Sequence, residues 1–208
     1  MPAAIQFLNH ASVLLTAGET SLVSDPWYQG AAFDRGWDLL EPDPTLGDLA
    51  AAAGNIWVSH EHPDHFAVDF FRDRPPGARI LFQKTRNRRV ASFLEQAGWH
   101  VTECPDVIPV PIGDATLTVG RRDFYDSWSL FDGGGSRILN LNDCAFGTLE
   151  DLTRLRGTTG PVDVLLTQFS YAGWQGGRDQ RVTREAAAKE RLATVRSKAS
   201  VSVISSNG

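Results

Sequence analysis

The stretch V58-S-H-E-H-P-D-H-F66 decides how the rest of this chain is read. Three of the chain's five histidines, His60, His62 and His65, fall within it, with Glu61 and Asp64 between them. The run just before them, Ile56-Trp57-Val58-Ser59, is short and apolar, of the kind that forms a buried strand. Where such a strand stops, the chain is free to turn, and alternate side chains can converge on one point. His60 and His62 then have the spacing to chelate one ion, and Asp64 and His65 can reach a second position beside it. Neutral imidazole and carboxylate suit zinc, and also iron or manganese. Pro63 stiffens the middle of the motif and reduces the entropy lost on ordering it around a metal. The competing reading is a polar surface loop with solvated histidines. One histidine would fit that reading; three with an aspartate directly after a strand argue against it.

Working outward, residues 1–28 read as a β-hairpin. Ile5, Phe7, Val13 and Leu15 give short apolar strands, Ala17-Gly18-Glu19 a turn and residues 21–24 the return. Asp25-Pro26-Trp27 ends it, because proline cannot donate to a ladder. Residues 28–47 form a loop rich in Gly, Pro and Asp. A short helix over 46–53 is closed by Gly54. Beyond the histidines, one helical turn is expected over 69–72, a strand over 78–83, and a helix over 85–97 stopped by Gly98. Strands follow over 100–103, 107–111 and 115–119. Residues 127–131 and 137–141 make a hairpin around Gly133-Gly134-Gly135. A buried strand over 162–167, a helix over 183–197 and a strand-like end over 199–208 complete the pattern. This order suits mixed sheets covered by helices, in a single domain over 1–208.

Bulk properties narrow the partners. A formal charge of -5 argues against nucleic acid or an anionic membrane as a partner. The basic cluster Arg86, Arg88 and Arg89 reads as the solvated face of a helix. Cys104 and Cys144 are the only cysteines, too few for a disulfide framework, so a reducing cytoplasmic setting is the simplest expectation. There is no signal peptide pattern and no apolar run of membrane-spanning length. A small-molecule substrate, with a homodimer as an oligomeric option, fits this profile.

His60-Glu61-His62-Pro63-Asp64-His65 resembles the H-x-H-x-D-H signature of the metallo-β-lactamase fold superfamily. Leu8-Asn9-His10-Ala11-Ser12-Val13-Leu14-Leu15 and Ser24-Asp25-Pro26-Trp27 resemble the opening of its lactonase-like and phospholipase-like branches. Asp126-Ser127-Trp128-Ser129-Leu130, with Asn142-Asp143-Cys144 and Gln168-Phe169-Ser170-Tyr171-Ala172-Gly173-Trp174, looks like the branch that holds the metallo-β-lactamase-like domain of CMP-N-acetylneuraminate hydroxylase. The resemblance implies a four-layer αββα sandwich of two mixed β-sheets with helices on the outer faces. It implies that Asp25 orients the metal loop and that Asp143 bridges two metals. A metal-activated hydroxide would then attack an ester, lactone, amide or phosphoester. The alternatives are an iron-binding, oxygenase-associated domain or a degenerate binding module.

In two places the chain departs from that pattern. No histidine follows His100, so the family's third and final histidine ligands are missing. Asp126, with Asp123 behind it, is the candidate for the third position, and carboxylate there shifts preference toward harder metals such as iron or manganese. His100 itself reads as structural. The chain also ends just past its last strand-like segment, so both a naturally short protein and a truncated form of a longer one stay open. The expected ligand set is His60, His62, Asp64, His65, Asp126 and Asp143, with one or two zinc ions as first expectation. Asp64 is also expected to orient hydroxide or carry a proton, and His10, on the first strand, to bond a substrate oxyanion. Trp27, Tyr28, Trp37, Trp128, Tyr171 and Trp174 lie near strand ends, where some would rim a pocket. Gly173, Gly176 and Gly177 suggest a flap.

Overall fold

The computed structural model describes residues 2–122 and 125–168. The chain divides after Leu166 into two units, and every element below belongs to the first. The expected helix over 183–197 and the strand-like end after it lie outside the described residues.

Strict alternation explains how the layers form. In β6 (Asn55–Val58) and β7 (Arg79–Gln83) every residue but the first of β7 is buried. Ile56, Val58, Ile80 and Phe82 point to one side, where they meet Phe70, Phe71, Val90, Leu94 and Trp99. Trp57 and Leu81 point to the other, where they meet Val110, Leu117, Phe131 and Ile138. A strand buried on both faces needs a layer on each side, which sets helix, sheet and second sheet in order. The helices on the first side are α1 (Thr45–Ala51), α2 (Val68–Asp73) and α3 (Arg89–Gln96).

The first sheet has six strands. The opening meander β1 (Ala4–Asn9), β2 (Ser12–Ala17) and β3 (Thr20–Ser24) runs antiparallel, and β6, β7 and β8 (His100–Cys104) then add in parallel. The second sheet follows the order β13 (Val164–Leu166), β12 (Ser136–Asn140), β11 (Ser127–Gly133), β10 (Ala115–Arg121), β9 (Pro109–Pro111). It is antiparallel except where β13 joins β12. On its outer face Trp128, Leu130 and Leu139 pack with Leu155 of α4 (Leu149–Thr159). The fold is therefore the expected α/β sandwich of two mixed sheets between outer helices.

Several local expectations are corrected. The opening is not one hairpin but a three-stranded meander, with a tight turn at His10-Ala11 that the apolar pattern did not mark. Residues 28–47 are not all loop: β4 (Ala31–Ala32) and β5 (Trp37–Asp38) form a small ribbon. The helix expected from residue 85 begins at Arg89, because Asn87 Oδ1 accepts from Arg89 N at 3.3 Å and Arg88 is left-handed at φ 48°. Arg86 and Arg88 thus precede the helix, and Arg88, exposed to solvent, pairs at the surface with Glu95 and Glu103. The strand expected from residue 107 starts at Pro109, since Val107 is left-handed at φ 53°. Helix α4 was not anticipated, although Thr148-x-x-Asp151 announces it: the Thr148 side chain accepts from Asp151 N at 3.1 Å, an N-cap.

Candidate metal centre

One end of the sandwich collects the acidic and imidazole side chains. Asp25 follows the last residue of β3, Ser59 and His60 follow β6, and Asp126 immediately precedes β11. Asp143 lies three residues beyond β12. Parallel neighbours β3 and β6 end on the same edge, so their successors meet there.

Asp25 organises the loop. It is 1% exposed and left-handed at φ 39°, with its backbone N–H donating to Trp57 O at 3.0 Å. Its Oδ1 accepts from Ser59 N at 2.7 Å and its Oδ2 from Ser59 Oγ at 2.8 Å. The same Oδ2 accepts from His65 Nδ1 at 3.1 Å, and Asn142 Nδ2 donates to it as well. These bonds fix two imidazole tautomers. The Ser59 hydroxyl spends its proton on Asp25, so its oxygen must accept from His60 Nδ1, 2.9 Å away. His60 Nε2 therefore carries a lone pair. His65, protonated at Nδ1 toward Asp25, turns its Nε2 to Asp64 and Asp143, where that nitrogen carries a proton without metal and would give it up to bind one. This is the orienting role that the resemblance gave to Asp25, and outer partners of this kind set the direction of metal-binding imidazoles.

The freed nitrogens converge on carboxylates. His60 Nε2 lies 2.9 Å from His62 Nδ1, 3.8 Å from Asp126 Oδ1 and 4.0 Å from Asp143 Oδ2. His65 Nε2 lies 3.3 Å from both Asp64 Oδ2 and Asp143 Oδ2. All six expected ligands are thus brought to one cluster. His60, His65 and Asp143 can share an ion, and so can His10, Asp64 and His65. His10 is not on the first strand, as expected, but in the turn after β1, at φ 48°. Its Nε2 sits 2.9 Å from Asp64 Oδ2.

The cluster's electrostatics call for a cation. Asp25, Asp64, Asp126 and Asp143 crowd one partly buried site. Burial alone would neutralise His65, yet hydrogen bonds to Asp143, Asp25 and Asp64 carry its pKa well above the ordinary range. His60 shows the opposite outcome: burial, then the charge on His65, lowers it to about 4. Burial raises Asp126, with Asp143 adding repulsion. Burial would also raise Asp64, but bonds from His10 and His65 hold it below the usual carboxylate range. Asp64 Oδ1 is buried with no hydrogen-bond partner. Such an orphaned, buried carboxylate oxygen fits a metal ion, whose charge would offset the burial.

The remaining candidates separate clearly. His100 is exposed at the start of β8, the end of the sheet away from the cluster, in keeping with a structural role. Trp27, Tyr28 and Trp128 are 3%, 3% and 4% exposed, so these three belong to the interior rather than to a rim. Trp37 does reach the mouth: its ring lies 4.9 Å from Phe33, which lies 6.0 Å from His62. Phe33, Ser59, Gln83 and Asn142 were not singled out by the sequence; only Ser59, next to His60, carried a local signal. Asp123, Tyr171, Gly173, Trp174, Gly176 and Gly177 lie outside the described residues. Burial pushes Cys104 up to about 12 and Cys144 higher still, and both are unpaired thiols.

Comparison with known proteins agrees with this geometry. A family model described as a β-lactamase superfamily domain matches residues 4–98. Among solved structures, CmlA, a diiron β-hydroxylase from Streptomyces venezuelae, superposes with a TM-score of 0.59 at 19% identity. The match covers 79% of this chain and 34% of that one. The chain belongs to the metallo-β-lactamase superfamily. A possible metal-dependent hydrolase from Veillonella parvula shares the superfamily fold with a TM-score of 0.54 at 14% identity, covering 80% of this chain and 85% of that one. The cytidine monophosphate-N-acetylneuraminic acid hydroxylase of Xenopus laevis is 30% identical over 185 residues. That match takes in 83% of this superfamily member and only 30% of the hydroxylase, so the chain spans less than a third of this relative's length. No helix among the described residues is long and apolar enough to cross a membrane.

Proposed function

We propose that this end of the sandwich holds two metal ions, that the ions are iron, and that the unit serves an oxygen-dependent hydroxylation of a small molecule. The donor set carries the reading. His60 and His62 would hold the first ion with one carboxylate, Asp126, which stands where the resemblance puts a histidine; His60 Nε2 lies 2.9 Å from His62 Nδ1 and 3.8 Å from Asp126 Oδ1. Two histidines and one carboxylate are the donor set of non-haem iron oxygenases. Asp64 and His65 would hold the second ion, with Asp143 between the two; Asp143 Oδ2 lies 3.3 Å from His65 Nε2 and 4.0 Å from His60 Nε2. The likeness to a hydroxylase at 30% identity and to a diiron hydroxylase fold supports the same choice.

Bound there, iron supplies Lewis acidity and redox chemistry with oxygen. The chain's own residues do the rest. Asp25 and Ser59 keep the protons of His60 and His65 on the far nitrogens. Asp64, held as a carboxylate by His10 and His65, keeps a negative charge in a buried wall. Phe33 and Trp37 form an apolar lip beside His62, over which a small-molecule substrate enters.

The second reading is a zinc-dependent hydrolase acting on an ester, lactone, amide or phosphoester. Its support is the β-lactamase superfamily model over residues 4–98 and the fold shared with a possible metal-dependent hydrolase. Element analysis of purified protein, followed by anaerobic loading with ferrous iron or zinc, separates the two. The proposal expects about two equivalents of iron and an absorption band that changes when oxygen is admitted. Two tightly held zinc ions, with iron unable to displace them, would select the hydrolase instead.

A further inference from the structure

We infer that His10 is itself a metal ligand, supplying an imidazole from the opening turn. The inference rests on the two-metal reading above and concerns its second position.

Ligand spacing comes first. Donors at about 2.1 Å from one ion lie about 3 Å apart when adjacent and about 4.2 Å apart when opposite. His10 Nε2 and Asp64 Oδ2 are separated by 2.9 Å, and Asp64 Oδ2 and His65 Nε2 by 3.3 Å. The three donor atoms all lie within 4.8 Å of one another. The imidazole rings of His10 and His65 are 5.7 Å apart at 61°, an arrangement compatible with both nitrogens reaching one ion. Asp64 adds an independent sign: it is 4% exposed, and its Oδ1 has no hydrogen-bond partner.

The backbone around His10 points the same way. Asn9 pairs with Ser12, which leaves a two-residue turn at His10-Ala11. His10 takes a left-handed φ of 48° there, a conformation that glycine or asparagine adopts at less cost. The turn thereby lifts the imidazole off the β1–β2 ladder and over the sheet end where Asp64 lies. Trp27, 3% exposed, packs edge-on at 5.1 Å and limits the ring's freedom. Holding a ligand in place before the ion arrives reduces the entropy lost on binding.

A simpler role would be a hydrogen bond from His10 Nε2–H that merely steadies Asp64. Glutamine distinguishes the two, because its amide can still donate to a carboxylate but is a poor metal ligand. The test measures metal stoichiometry and affinity by equilibrium dialysis with cobalt(II), read by element analysis and by the visible cobalt spectrum. Wild type, His10→Gln, His10→Ala and His60→Ala are compared, with circular dichroism reporting folding. The inference expects wild type to hold two equivalents. Both His10 variants should hold one, with at least 100-fold weaker binding at the other position and an altered cobalt spectrum. Full retention of two equivalents by His10→Gln, with affinity within threefold of wild type, overturns it and leaves His10 a positioning residue. A single equivalent in wild type overturns it too. If His60→Ala keeps both ions, the two-metal reading beneath it has failed instead.

Discussion

Replacing Asp25 with asparagine tests the central argument without removing any proposed ligand. The side chain is 1% exposed and accepts from Ser59 N, Ser59 Oγ, His65 Nδ1 and Asn142 Nδ2. Asparagine keeps one oxygen. With that oxygen at the Oδ2 position, the new amide N–H group faces the Ser59 backbone N–H, donor against donor. With it at the Oδ1 position, the N–H group faces three donors. His65 must then accept at Nδ1 and keep its one proton on Nε2, the nitrogen that a metal would need free. Either arrangement loses charge-assisted bonds worth about 1.5–3 kcal/mol each and strands a buried donor at about 1–3 kcal/mol. Relief of repulsion among the four clustered aspartates offsets part of this. The expected net loss is about 2–4 kcal/mol of stability in chelator. Metal affinity should fall about 10–100-fold, the usual effect of losing an outer partner. Chemical denaturation in chelator gives the first quantity and competition against a chromophoric chelator gives the second. An Asp25→Asn protein that binds metal within threefold of wild type would refute the claim that this carboxylate aims the imidazoles.

Two further outcomes follow from the same structure. His60 is 1% exposed with its pKa lowered to about 4, against about 6.5 in an unfolded chain. The unfolded state therefore takes up that proton first as pH falls, so stability is intact above about 6.5 and is lost between about 6.5 and about 4. In chelator this contributes about 3 kcal/mol of acid destabilisation, which a His60→Asn variant should lack; parallel pH-dependent slopes for the two proteins in denaturant titrations would count against it. At Gly120, a Cβ would meet the Trp128 indole at 2.1 Å. Gly120→Ala should cost about 1–3 kcal/mol and lower the melting temperature, while circular dichroism at low temperature stays that of a folded protein.

How legible was this centre beforehand? The histidine motif was legible because its chemistry is local: three imidazoles and a carboxylate in six positions, behind an apolar strand. The layer order was legible through alternation, since Ile56 and Val58 must face one layer and Trp57 another. Turns were less so. The His10-Ala11 turn lacks the glycine or asparagine that marks such sites, so β1 and β2 merged into one strand of a hairpin. Helix α4 was passed over because Leu149, Leu152 and Leu155 are spaced among threonines and a glycine, although its capping threonine was in view. The aromatic residues misled for a different reason: Trp27 and Tyr28 lie just after β3 and Trp128 near the start of β11, but nothing in a linear pattern says whether a strand end is covered.

By itself, then, the sequence determined the histidine loop that His60, His62, Asp64 and His65 compose, the proposed half of a metal site, and the sandwich that carries it. Tertiary structure decided what completes that half. Asp25, Asp126, Asn142 and Asp143 reach it from strand ends far along the chain, 117 residues apart in the case of Asp25 and Asn142. His10 reaches Asp64 across 54 residues. The physical reason is that period-two alternation encodes which face of a strand is buried, whereas convergence at one edge depends on strand order and register. Those are set by packing between layers, and only there do a turn histidine and three distant aspartates become neighbours.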